Sequence, residues 1–111
     1  MAMDTLLARR DEERRVRRLA LHDETRRLLR DALADLVPGH PIWVFGSLTQ
    51  PGRFNERSDV DLALADEPRS ISAGCLASEL TERLGRPVDV VLLDRCRFRD
   101  RILREGELWT P

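Results

Sequence analysis

The sequence predicts an α/β fold of the mixed α+β kind: a small mixed sheet of three or four strands flanked by helices. Three observations carry this expectation. One long stretch, Asp4 to Leu36, is rich in Leu, Ala, Arg and Glu and holds no Gly or Pro, the composition of a helix. Three short apolar runs, Ile42 to Phe45, Val60 to Ala65 and Pro87 to Leu93, have the length and the flanking turn residues of buried strands. Helical segments separate the last two runs, and such alternation builds helices around one sheet. With 111 residues, the chain is long enough for one domain, one modest core and one site.

The first helix is stopped by Pro38-Gly39. Its second half carries an apolar stripe, Leu21, Leu28, Leu29, Ala32, Leu33 and Leu36, spaced to pack on a core. Its first half has only a thin stripe of Leu6, Leu7, Val16 and Leu19. Asp11 with Arg15 and Glu13 with Arg17 stand four residues apart, acid before base, an order worth roughly 0.2–0.5 kcal/mol per pair in a helix. After the Ile42 to Phe45 strand, a loop rich in turn formers runs from Gly46 to Ser58, and Val60 to Ala65 follows as the second strand. Ser70 to Leu84 reads as a helix, with Ser70 or Ser72 as N-cap and Gly85 as C-cap. Pro87 to Leu93 is the third strand and Phe98 to Leu108 a short final helix.

Composition excludes several classes of function. The 19 basic residues, all Arg, face 20 acidic ones, for a net charge of −1. So near a balance argues against direct nucleic-acid binding by bulk attraction. Without Lys there is neither Schiff-base chemistry nor a P-loop. Cys75 and Cys96 form no C-x-x-C pair and are expected to be reduced thiols, one of them buried. The longest uncharged run, residues 36–52, is broken by prolines and glycines and is too short to span a bilayer. The N-terminus lacks an apolar signal core. The expectation is a cytoplasmic protein with no membrane association.

The chemistry lies in an ordered set of residues. Trp43-Val44-Phe45-Gly46-Ser47 is followed, after eleven residues, by Asp59-Val60-Asp61-Leu62. Alternation along a strand puts Asp59, Asp61, Ala63 and Ala65 on one face and Val60, Leu62 and Leu64 on the other. The second is a core face. The first sets two carboxylates about 7 Å apart, beside small residues that leave room. Adjacent carboxylates repel unless solvated or bridged by a cation, and Mg²⁺ suits such oxygen ligands. Asp89 interrupts the third strand and joins the other two if the strands are neighbours. Three carboxylates can hold two divalent ions about 3.5–4 Å apart, the arrangement of in-line phosphoryl or nucleotidyl transfer. Gly46 lets backbone approach a phosphate, and Ser47 offers it an N–H and a hydroxyl.

Phe45-Gly46-Ser47, Gly52, Ser58-Asp59-Val60-Asp61-Leu62 and the later Val88-Asp89-Val90 resemble the minimal nucleotidyltransferase (MNT) family of the DNA polymerase beta-like nucleotidyltransferase superfamily. The likeness covers roughly His22 to Trp109, and Ile102 to Trp109 resembles the family's closing helix and turn. The resemblance implies a nucleotidyltransferase domain over residues 22–111, with residues 1–21 as a helical extension. It implies two Mg²⁺ ions held by Asp59, Asp61 and Asp89, with ATP bound at Gly46, Ser47, Arg57 and Ser58. It also implies an antitoxin that transfers AMP to a hydroxyl, that of a tyrosine, on a partner HEPN ribonuclease toxin. The chain itself has no Tyr, so self-modification at tyrosine is excluded. The family commonly has ten residues between Gly-Ser and the first Asp, and this chain has eleven. That departure keeps open a second reading, an inactive antitoxin that neutralises its toxin by binding alone.

Other candidates carry bland readings. Arg53 and Arg57 lie in the loop beside the expected phosphates, where either could clamp a triphosphate or stay solvated. The run Arg95, Arg97, Arg99, Arg101 and Arg104 reads as a solvated face, its field blunted by Asp94 and Asp100. His22 and His40 are isolated, and Trp43 and Trp109 read as packing residues.

Overall fold

The fold follows from a computed structural model that describes residues 5–111. Helix α1 spans Thr5–Leu36; Asp4, where the sequence begins it, lies outside the described residues. Strand β1 is Ile42–Phe45, β2 is Val60–Leu64, α2 is Ala73–Leu84, β3 is Val88–Leu92, α3 is Arg99–Glu105 and β4 is Glu107–Trp109. The strands form one sheet in the order β3-β2-β1-β4. β1 runs antiparallel to both β2 and β4, while β3 runs parallel to β2.

Most local expectations hold. α2 starts three residues after Ser70, because Ser72 is the residue that caps it: its Oγ accepts the Cys75 N–H at 3.1 Å. A Glu67 carboxylate oxygen also accepts the Ala73 N–H at 2.7 Å. Gly85 closes the helix in the left-handed conformation, φ 70°.

Three expectations are corrected. Residues 98–108 are not one helix: α3 ends at Glu105, and Glu107–Trp109 is a strand paired with Ile42–Val44. Gly106 makes this switch possible, since a Cβ there would lie 2.6 Å from the Ile102 carbonyl oxygen. On α1, neither i,i+4 pair of the first half forms an ion pair among the described residues; Arg15 turns instead to Glu12 at 2.7 Å. Cys75 is exposed and Cys96 only part-buried, so neither thiol is a core residue.

The main core lies on one face of the sheet. Ile42, Val44, Val60, Leu62, Leu64 and Val88 pack against Leu29, Ala32, Leu33 and Val37 from the first helix and its end, and Leu76 and Leu80 from α2. Leu28, which the sequence places on the packing stripe, is exposed. Leu6, Leu7, Val16 and Leu19 are exposed too, because the first half of α1 runs past the sheet. A helix of 32 residues is about 48 Å long, which accounts for the 60 Å long axis of the molecule. No helix among the described residues is long and apolar enough to cross a membrane.

The opposite face is thinly covered. Ala63, Leu93 and Ile102 form a small second core with part-buried Trp43, Phe45, Val91 and Cys96 around it. The small residues of this face therefore do not all leave open space: Ala63 is fully buried beneath the α3 region. Toward Asp61 the face stays open.

Candidate functional site

The carboxylates are placed by strand pairing. Asp61 sits in β2, and parallel pairing sets Asp89 directly beside it on β3. Antiparallel pairing sets Phe45 on its other side. Asp59 lies two residues before Asp61 and just ahead of the strand. Asp61 is part-buried, whereas Asp59 and Asp89 are exposed, so Asp89 escapes the cost of a buried unpaired charge. Burial raises the Asp61 carboxyl above the ordinary carboxylate range, and the neighbouring Asp89 and Asp59 charges raise it further. That is the electrostatic signature of a place that favours positive charge.

The donor chemistry fits a hard divalent cation. No group of three or more His, Cys, Asp and Glu side chains among the described residues is arranged to enclose an ion on protein ligands alone. Mg²⁺ does not require such a cage, since it typically takes one or two carboxylates plus waters and substrate phosphates.

Gly46 faces Asp61 across the bend that ends β1. Its φ is +76°, and a Cβ there would stand 2.5 Å from Asp61 Oδ2, so only glycine fits both the conformation and the space. Residues Gly46–Thr49 then form one turn of 3₁₀ helix, closed by the Thr49 hydroxyl donating to the Gly46 carbonyl at 2.8 Å. Ser47 is part-buried in this turn.

The loop is held from two sides. Leu48 and Phe54 are fully buried in the main core. From α1, His22 Nε2 meets the Leu48 carbonyl oxygen at 2.7 Å, and Arg26 donates to that same oxygen at 3.2 Å. Arg26 also donates to both Glu107 carboxylate oxygens, at 2.9 and 2.7 Å, a bidentate pair that holds the Glu107 carboxyl below its ordinary range. Farther along, the Arg86 guanidinium stacks over Phe54 at 4.8 Å and donates to the Asn55 and Ser58 carbonyls at 3.2 and 2.8 Å. The eleven-residue interval is thus anchored at both ends, and its exposed bend at residues 51–53 is remote in sequence from both Gly46 and Asp59.

A cleft of about 690 Å³ opens between this turn and α3, lined by Phe45, Gly46, Thr49, Gln50, Asp61, Phe98, Arg101, Ile102, Glu105 and Glu107. Its size suits a small-molecule ligand. Gly46 and Asp61 reach it, as the sequence suggests. Arg57 does not line it: the residue lies in a separate surface hollow with Arg14, Arg17 and Arg18 of α1. The cationic side chain that does line the cleft is Arg101, which the sequence assigns to a solvated face. The Ser58 hydroxyl is engaged in a turn, accepting the Asn55 N–H at 3.0 Å. Sequence reasoning also misses His22 and Arg26, whose roles come only from contacts with residues 22 or more positions away. One signal was available for the far wall: Phe98, Arg101, Ile102 and Glu105 follow the i, i+3, i+4, i+7 spacing of a single helical face.

Comparison with known proteins agrees with this geometry. Among curated protein sequences there is no significant match. The toxin–antitoxin with AMP-PNP, a crystal structure, matches with a TM-score of 0.57 and 28% identity, covering 77% of this chain and 73% of the other. The toxin–antitoxin MntA-HepT matches with a TM-score of 0.54 and 24% identity, over 80% and 73% of the two chains. A mutant MntA-HpeT toxin–antitoxin matches with a TM-score of 0.53 and 28% identity, over 75% and 70%. The family profile described as "Polymerase beta, Nucleotidyltransferase" covers residues 40–109, which take in the whole sheet, the Gly46 turn and all three aspartates. The chain belongs to the polymerase beta nucleotidyltransferase family.

Proposed function

We propose that this protein is an MNT-type antitoxin that transfers AMP from ATP to a tyrosine hydroxyl on a partner HEPN ribonuclease toxin. The observation that carries the reading is the Asp61–Asp89 pairing across β2 and β3, with Gly46 pressed against Asp61. Likeness to toxin–antitoxin structures, one with a nucleotide analogue, supports both the partner and the nucleotide. Residues 22–111 form the transferase domain in this reading, and residues 1–21 are an extension to it.

Asp59 and Asp61 would hold two Mg²⁺ ions, with Asp89 as a further ligand. Bound there, the ions supply charge neutralisation to the triphosphate. The Gly46 backbone and Ser47 receive the outgoing phosphates. Asp89, exposed on β3, would accept the proton of the acceptor hydroxyl. The acceptor oxygen bonds to the α-phosphorus, the bond from that phosphorus to its bridging oxygen breaks, and pyrophosphate leaves. The acceptor keeps the AMP, and Asp89 keeps the proton until solvent takes it.

Intact-mass spectrometry of the chain mixed with its partner, ATP and Mg²⁺ tests this. The partner's mass should rise by whole AMP units, and Asp59→Asn with Asp61→Asn should abolish the rise. The competing reading is neutralisation by binding alone, which rests on the eleven-residue interval between Ser47 and Asp59. It requires that the double variant still bind and silence the toxin with no mass change in the wild type.

A further inference from the structure

We infer that Phe98 is the stacking platform for the nucleobase of the bound triphosphate. This deepens the nucleotidyl-transfer reading and rests on it.

The 690 Å³ cleft has two chemically distinct ends. Gly46, Thr49 and Asp61 mark the end where phosphates and cations belong. The wall across from them is the α3 face that begins at Phe98 and continues through Arg101, Ile102 and Glu105. A nucleotide anchored by its phosphates at Gly46 has this wall for its remaining atoms.

Phe98 is distinctive on that wall. It is 55% exposed, and it belongs neither to the main core nor to the second core of Ala63, Leu93 and Ile102. Neighbouring Phe45, by contrast, packs on that second core. Ile102 holds α3 down on the sheet at 2% exposure, which leaves the Phe98 ring free of a packing duty. An aromatic face offered at a cleft mouth suits a planar π-system, and base–aromatic stacking is tolerant of base identity. Arg101 and Glu105, joined by a 3.0 Å contact on the same helix, add polar groups beside it.

A second hollow of about 770 Å³ runs along β3 and shares Phe45 and Phe98 with the cleft. None of Gly46, Asp59, Asp61 or Asp89 lines it. Gly46 and Asp61 line the first cleft and not this hollow, so a nucleotide held there by its phosphates has the first cleft, which Phe98 also lines, for its base.

Calorimetric titration of the full chain with Mg·ATP and with Mg·tripolyphosphate, which has no base, isolates the stacking. Phe98→Ala should weaken ATP by about 5- to 150-fold and leave tripolyphosphate within about twofold. Phe98→Trp should restore ATP to near wild-type affinity. Unchanged ATP affinity in Phe98→Ala overturns the platform, as does equal weakening of both ligands, which would mark a structural role. Wild-type protein that binds tripolyphosphate as tightly as ATP also overturns it, leaving the phosphate site intact. Binding of neither ligand by the wild type overturns the nucleotide reading itself, and the platform with it.

Discussion

The two faces of the sheet divide stability from chemistry along the same strand. On one face Val60, Leu62 and Leu64 are fully buried under the long α1 and α2. On the other, Asp61 and Ala63 alternate with them, and only the seven-residue α3 and its flanking turns provide cover. A short helix seals Ala63 but not Asp61, which lines the cleft with Asp89 paired beside it on β3. Apolar burial supplies roughly 25 cal/mol per Å² on the first face. On the second, burial and the Asp89 and Asp59 charges raise the Asp61 carboxyl, so ionising it there opposes folding. Stability built on one side lets the site be electrostatically strained on the other.

This division can be broken deliberately. The largest effect should come from Asp59→Asn with Asp61→Asn, which should cut AMP transfer by on the order of 10³-fold or more while circular dichroism stays native-like and the thermal midpoint does not fall. Leu62→Ala, one residue away on the core face, should do the reverse. It should cost about 2–5 kcal/mol in urea unfolding, a large share of a small domain's stability, with transfer per folded molecule retained. A loss of transfer in folded Leu62→Ala would contradict the division.

Arg26→Ala probes the brace between α1, the Gly46–Thr49 turn and β4. Losing a bidentate pair and the bond to the Leu48 carbonyl should cost about 2 kcal/mol in the same assay. The loss should shrink as pH falls through the lowered Glu107 value, because the carboxylate that Arg26 holds is then protonated. The smallest effect has the opposite sign. Asp61 has a raised carboxyl, so its protonated form is favoured in the folded state. The stability this lends is complete below the unfolded-state value and is lost as pH rises through the raised folded value. Asp61→Asn should thus raise the melting temperature at pH 7 by on the order of 2 °C, and the gain should vanish in acid. Saturating Mg²⁺ should narrow the gap by stabilising the wild type alone.

Strands β1, β2 and β3 are legible in the sequence because their apolar runs are bounded by turn residues. Asp59, Asp61 and Asp89 stand out because a carboxylate is conspicuous in such a run. The caps Ser72 and Gly85 follow from local backbone chemistry. β4 is not legible: three residues are too few to display a period, and Glu107–Trp109 is extended only because β1 offers its edge. The first half of α1 reads as a thin stripe and proves exposed, since no other element reaches it. Arg57 shows the limit of loop proximity. It is close to Asp59 in sequence, yet the loop turns it toward Arg14, Arg17 and Arg18 of α1.

By itself, then, the sequence determined the helices α1 and α2, the strands β1 to β3 and which residue types could do phosphoryl chemistry. Periodicity, capping and turn formation act within a few residues and leave their mark in order along the chain. Tertiary structure alone decided that Asp89 stands beside Asp61, that His22 and Arg26 hold the Gly46–Thr49 turn, and that Phe98 and Arg101 line the cleft instead of Arg57. Those facts depend on strand order and helix docking, where the contacting residues lie tens of positions apart and no local pattern records which of them will meet.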